Sequence, residues 1–134
     1  MSKQLAPFHF DIVGSFLRPE ELKEAREAFN PLVLETALRR AKLLGRPVLI
    51  EATANQVNQY GGYTGMVPKD FYKMVLEMAE KIGVPENQMI LAGDHLGPLT
   101  WQNLPEKEAM DKSIELVYEY ARAGFTKIHL DTSM

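Results

Sequence analysis

Apolar residues return along this chain in two rhythms. Phe71, Met74, Val75, Met78, Ala79 and Ile82 recur at every third or fourth position, which lays them along one face of a helix. Pro68 stands in its first turn and Gly83 just past its last, so both ends have a physical cause. Leu34, Ala37, Leu38, Ala41 and Leu44 mark an earlier helix, opened by Asn30-Pro31 and closed by Gly45. Met110, Ile114, Val117, Tyr120 and Ala121 mark a later one between Glu106 and Ala123, stopped by Gly124. The methionines and tyrosines on these helices are expected in the core. The second rhythm is short and dense. Val48–Ala52, Met89–Ala92 and Lys127–Asp131 are brief runs bounded by Gly or Pro, each the pattern of a strand in a buried parallel sheet.

The order helix–strand–helix–strand–helix–strand is that of βαβ units. Successive strands begin roughly 40 residues apart, near the repeat of a (β/α)₈ barrel with long loops. A whole barrel takes ~250 residues. The 134 residues here supply three strands, or four if Phe8–Phe16 forms another before a short helix from Arg18-Pro19-Glu20 to Phe29. The last strand also runs straight into Asp131–Met134 without a covering helix. The expected architecture is an α/β fold, a partial TIM barrel of three to four parallel strands with intervening helices, built as one domain over residues 1–134. A small open sheet is the alternative. Either way the sheet keeps open edges, which pair with other chains, so self-association is expected.

Composition narrows the functions. Fifteen Lys and Arg against eighteen Asp and Glu leave a net charge of -3, so no broad basic surface exists for nucleic acid. Cysteine is absent, which removes disulfides, thiolate metal sites and cysteine nucleophiles. Apolar stretches reach about four residues where a membrane helix needs ~20. Met1–Phe10 has no hydrophobic signal core, so the expected location is the cytoplasm.

In parallel α/β folds, ligands gather at the carboxyl ends of the strands. Three such ends here are polar. The first strand leads through Glu51 into Asn55, Gln56, Asn58 and Gln59, a set of donors and acceptors that suits sugar hydroxyls as well as open solvent. The second ends at Asp94-His95, where a carboxylate beside an imidazole can act as general acid/base next to a metal ligand. The plainer alternative has Asp94 capping a loop and His95 bonded to backbone. The third strand places His129 on the face shared with Lys127 and Asp131, either in the site, where it joins His95, Asp131, Asp94 and Glu51 as a candidate metal ligand of no fixed spacing, or as a satisfied core histidine. Gly61-Gly62-Tyr63-Thr64-Gly65 offers backbone amides to a phosphate but lacks the spacing of a P-loop, so a flexible βα loop is the structural alternative. Trp101, just after Gly97-Pro98, is expected to pack on the core and cover the sheet, with lining a pocket as the alternative.

NPLVLETAL (Asn30–Leu38), VLIEATANQVNQYGGYTGM (Val48–Met66), ILAGDHLGP (Ile90–Pro98) and AGFTKIHLDTSM (Ala123–Met134) run through about four-fifths of the chain. Over Asn30–Met134 the chain resembles the accessory, non-catalytic subunit of class II tagatose-bisphosphate aldolase. The resemblance implies a TIM-barrel parent and a role in galactitol or N-acetylgalactosamine catabolism. There the accessory subunit supports the activity and stability of a separate catalytic aldolase subunit acting on a sugar phosphate. Some proteins of this type carry the label tagatose-6-phosphate kinase, which no phosphate-loop motif here supports. The wider class II aldolase pattern implies that Asp94 is the proton-transfer residue and His95 the first zinc ligand. It also matches Asp131 to the acidic residue of the following strand. The other zinc histidines of that pattern come from later strands. A complete zinc site, and independent catalysis, are therefore not expected within this chain.

DIVGSFLRPEELKEAREAF (Asp11–Phe29), within Phe8–Phe29, instead resembles the opening of a methionine-synthase-II-type protein, with a seam at 29/30. Three other functions follow from these resemblances. They are a zinc-dependent ketose-bisphosphate aldolase, a methyltransferase fragment, and an engineered or fused barrel chimera without activity.

Overall fold

The computed structural model describes residues 31–132. Three helices alternate with three strands: α1 (Pro31–Leu44), β1 (Val48–Thr53), α2 (Pro68–Ile82), β2 (Met89–Leu96), α3 (Glu106–Ala123) and β3 (Lys127–Leu130). Single 3₁₀ turns at Glu86–Gln88 and Pro98–Trp101 flank β2. The strands lie parallel in the order β1-β2-β3, as expected for consecutive βαβ units of a partial barrel. The strand and helix expected over Phe8–Phe29 fall outside the described residues, as does any fourth strand. No helix among the described residues is long and apolar enough to cross a membrane.

The helix ends follow their local chemistry. Pro68 opens α2, where a missing N–H costs nothing. Gly83 closes it in the left-handed region at φ 83°, its N–H returning to the carbonyls of Ala79 and Glu80. Lys42 on α1 donates to the carbonyl of Ile82 at 2.6 Å, placing a cation on the negative end of α2. Leu38, Ile50, Ala52, Val75, Ala79, Leu91, Leu116 and Tyr120 form the packed layer between helices and sheet. Phe125 fits between Phe71, Tyr72 and Tyr120, its ring centroid 4.6 Å from that of Tyr120.

The buried stripe of α3 differs from expectation. Ala109, Ser113, Leu116 and Tyr120 face inward, while Met110, Ile114 and Tyr118 are exposed. The stripe is turned by one position, about 100° around the helix. Tyr120 supplies the reason, because its phenol donates to the carbonyl of Val57 at 2.8 Å and lies 3.4 Å from that of Ala52. Small residues at 109 and 113 then bring the helix close to its neighbours. The hydroxyl of Ser113 is satisfied by the Ala109 carbonyl at 2.7 Å, so its burial leaves no orphaned donor. Leu44, expected in the α1 stripe, is likewise exposed at the end of its helix.

Candidate functional site at the strand ends

Period-two alternation sends Ile50, Ala52 and Leu91 to the helices and turns Glu51, Thr53, Ala92, Asp94, Lys127 and His129 to the other face. Glu51, Ala92 and Lys127 are in register across the three strands. The Glu51 carboxylate and Lys127 ammonium pair over fully buried Ala92. Toward the carboxyl ends, the next layer holds Thr53, Asp94 and His129.

Strict alternation would place Asp94 and His95 on opposite faces. Instead, β2 makes a bulge: Gly93 pairs with Ile128 and Leu96 with Leu130, three steps against two. His95 takes φ 48°, the one left-handed residue other than glycine among the described residues. Its ring turns back, and Nδ1 lies 2.8 Å from Oδ2 of Asp94. His129 approaches from β3 with Nδ1 2.6 Å from Oδ1 of the same carboxylate. The two ring centroids are 4.8 Å apart at 72°. Asp94 is buried, whereas the His95 and His129 side chains are 45% and 47% exposed, so the imidazoles form the open side of the cluster.

Burial pushes the Asp94 carboxyl up. The hydrogen bonds from His129 and His95, with their charges, outweigh that and hold it below the ordinary carboxylate value. Gly97 closes the bulge. A Cβ there would lie 1.6 Å from the Asp131 carbonyl oxygen, so only glycine lets the two strand exits meet. The Asp131 N–H also bonds the Leu96 carbonyl at 3.0 Å, which anchors the end of β3 beside the bulge. Sequence reasoning passed over Gly97, although a glycine two positions beyond His95 is a visible signal for a close backbone approach.

The structure thus brings Asp94, His95 and His129 together and leaves the rest of the expected polar set elsewhere. Glu51 is one layer below, joined to Lys127. The loop after β1 bonds to itself. Asn58 is buried, its amide donating to the Ala54 carbonyl at 2.8 Å while Oδ1 accepts from the N–H groups of Tyr60 and Gly62. Gln56 Oε1 accepts from the Thr53 N–H at 2.9 Å. The Gly61 N–H goes to the Asn58 carbonyl, Tyr63 N–H to Asn55 and Thr64 N–H to Gln56. The amides of Gly61 and Gly62, expected to face a phosphate, are therefore spent inside the loop, which is tied rather than slack. Asn55 contributes its carbonyl to that network and is otherwise exposed. Trp101 packs on the core edge and meets Tyr60 edge-on at 6.3 Å.

Two imidazoles and a carboxylate are donor types that fit a zinc-type cation, and such a site takes three or four ligands. The residues present fit part of the zinc site implied by the class II aldolase resemblance. Their ligand atoms all lie within 4.8 Å of one another.

Comparison with known proteins adds a family to this geometry. A family model described as D-tagatose-1,6-bisphosphate aldolase subunit GatZ/KbaZ-like matches residues 27–134. The D-tagatose-1,6-bisphosphate aldolase subunit GatZ of Salmonella newport is 58% identical over 105 residues, covering 78% of this chain and 25% of that protein. The protein of the same description from Escherichia coli O139:H28 gives the same figures. Among solved structures, a probable tagatose 6 phosphate kinase from Sinorhizobium meliloti 1021 superposes with a TM-score of 0.76 at 55% identity, over 80% of this chain and 28% of that one. The chain spans about a quarter of the length of the curated relatives it matches.

Proposed function

The chain belongs to the D-tagatose-1,6-bisphosphate aldolase subunit GatZ/KbaZ-like family, and from that membership we propose that it acts as part of a supporting barrel subunit of tagatose-1,6-bisphosphate aldolase. In this role a separate catalytic subunit cleaves the sugar bisphosphate. The present chain sustains that subunit's activity and stability during cytoplasmic breakdown of galactitol or N-acetylgalactosamine. The observation that carries the proposal is 58% identity to proteins described as subunits of that aldolase. A sugar phosphate would meet Asp94, His95 and His129 at the strand ends, with Asn55 and Asp131 on the adjoining exits.

The test is co-purification with the catalytic subunit, followed by tagatose 1,6-bisphosphate cleavage and a melting curve with and without this chain. Higher activity and a higher melting temperature are expected. An unchanged partner overturns the proposal. The edges of β1 and β3 away from β2 have no partner strand among the described residues. Together with the exposed Ile114, Tyr118 and Leu130, this supports association through the sheet ends. Light scattering would then report a species heavier than one chain.

The convergence of Asp94, His95 and His129 favours a second reading, a zinc-assisted aldolase site in the chain itself. Cleavage by the isolated chain with added zinc would select it. Asp11–Phe29 supports reading the chain as a junction of two barrel pieces near 29/30, a fusion or an engineered chimera. Homocysteine or folate binding would be required to keep the methyltransferase alternative.

A further inference from the structure

The Asp94 carboxylate has two oxygens, and each meets the Nδ1 atom of a different histidine, at 2.8 Å for His95 and 2.6 Å for His129. An ionised carboxylate only accepts, so each Nδ1 must carry the proton that joins it to Asp94. The His95 backbone N–H also points at His129 Nδ1, from 3.4 Å. One ring nitrogen cannot donate to the carboxylate and accept from the amide at once. The shorter contact to an anion prevails, since charge-assisted bonds are roughly twice as strong as neutral ones. In a neutral imidazole the lone pair is then on Nε2. Both histidines are held in the same tautomer by one buried carboxylate, with their rings half exposed.

We propose that His95 and His129 are paired metal ligands through Nε2, for a divalent cation of the zinc or cobalt kind, and that Asp94 orients both rings without touching the metal. A carboxylate that accepts from the far nitrogen of a ligating histidine is the usual way to set ring orientation and raise ligand basicity. Here a single carboxylate serves two histidines, which is why it is buried between strands while the rings are open. The assignment departs from the role implied by resemblance, in which Asp94 moves protons and the partners of His95 come from later strands. It brings in His129 from the neighbouring strand. The remaining positions on the cation are left for water or an oxygen of the sugar phosphate, and for that ligand alone the inference rests on the function proposed above.

Cobalt(II) added to the full 134-residue chain, without any partner subunit, tests it. The unsubstituted chain is expected to give a saturable visible absorption band that zinc abolishes by displacement. His129→Gln and His95→Asn should each remove the band, Asn being chosen because it tolerates the left-handed backbone at 95. Asp94→Asn should keep the band and weaken binding by about 10–100-fold. Near-UV circular dichroism checks that each variant folds. Should one fail, nitrogen-15 NMR of the unsubstituted metal-free chain decides, with Nδ1 protonated in both rings. The inference is overturned by a folded chain that binds no cobalt or by a band that survives in His129→Gln. It is equally overturned by an Asp94→Asn chain as inert as the histidine variants, or by protons found on Nε2. Because no aldolase activity is read, failure here leaves the subunit role standing, and failure to stimulate a catalytic subunit leaves metal binding standing.

Discussion

Polar residues gather at all three strand exits of this protein, and the first behaves in the opposite way to the other two. The loop after β1 carries Asn55, Gln56, Asn58, Gln59 and a run of glycines. Gln56, Asn58 and the Gly61 and Gly62 amides are used inside the loop, Gln59 reaches across to the Lys112 carbonyl on α3, and the Asn55 side chain is exposed. The exits of β2 and β3 carry Asp94, His95, His129 and Asp131, and there two half-exposed imidazoles remain open to a ligand. Polar density therefore does not mark a site. What marks one is polar capacity left over after the backbone has been satisfied, because a buried N–H or carbonyl takes the nearest partner before any ligand arrives. Asn58 shows the first outcome and His129 the second.

The sharpest way to break the contrast is Gly62→Ala. Its Cβ would lie 2.4 Å from the Gln56 carbonyl oxygen at a backbone φ of 53°. Overpacking plus left-handed strain should cost about 4 kcal/mol, read as the loss in denaturant midpoint. The histidine NMR signature should stay unchanged if the two exits are independent. Gly97→Ala is the counterpart on the other side. Separating Asp131 from β2 should cost about 3 kcal/mol, and here the Asp94–His129 bond should disappear from the spectrum.

Asn58→Ala should destabilise by about 1 kcal/mol, since the N–H groups of Tyr60 and Gly62 lose their acceptor and the Ala54 carbonyl its donor, again without touching the histidines. Asp94→Asn should melt below the unsubstituted protein at neutral pH, with a gap that depends on pH. The native Asp94 pKa is depressed, so its contribution is complete above the unfolded value of about 3.9. It is lost as pH falls through the lower native value, and the gap in melting temperature should close there. Glu51→Gln is the mildest change. Lys127 is 45% exposed in its side chain, so solvent screening should limit the loss to under about 1 kcal/mol by chemical denaturation.

Much of the fold was legible because it rests on short-range rules. Pro68 and Gly83 bound α2 as local sterics demand, and its stripe Phe71, Val75, Ala79 and Ile82 is buried as the period predicts. In α3 the period holds at Tyr120 and in part at Val117, but hydrophobicity favours Met110 and Ile114, whereas the helix rotation answers to Tyr120 reaching the Val57 carbonyl 63 residues away. Asp94 and His95 were identifiable as chemistry at a strand end. Their joint use with His129 was not, since alternation alone sends neighbours to opposite faces.

The sequence by itself determined the order of helices and strands, the parallel sheet they imply, and the barrel family over residues 27–134. These depend on periodicity, helix-end chemistry and extended likeness, all of which are written along one dimension. Only the tertiary structure decided which polar residues have capacity to spare and which face α3 buries. It also decided that a bulge at His95, permitted by Gly97, turns two histidines onto one carboxylate. The last two are set by contacts between elements more than 30 residues apart in sequence, as in the 63 residues between Tyr120 and Val57 and the 35 between Asp94 and His129. Such contacts exist only once the sheet has formed.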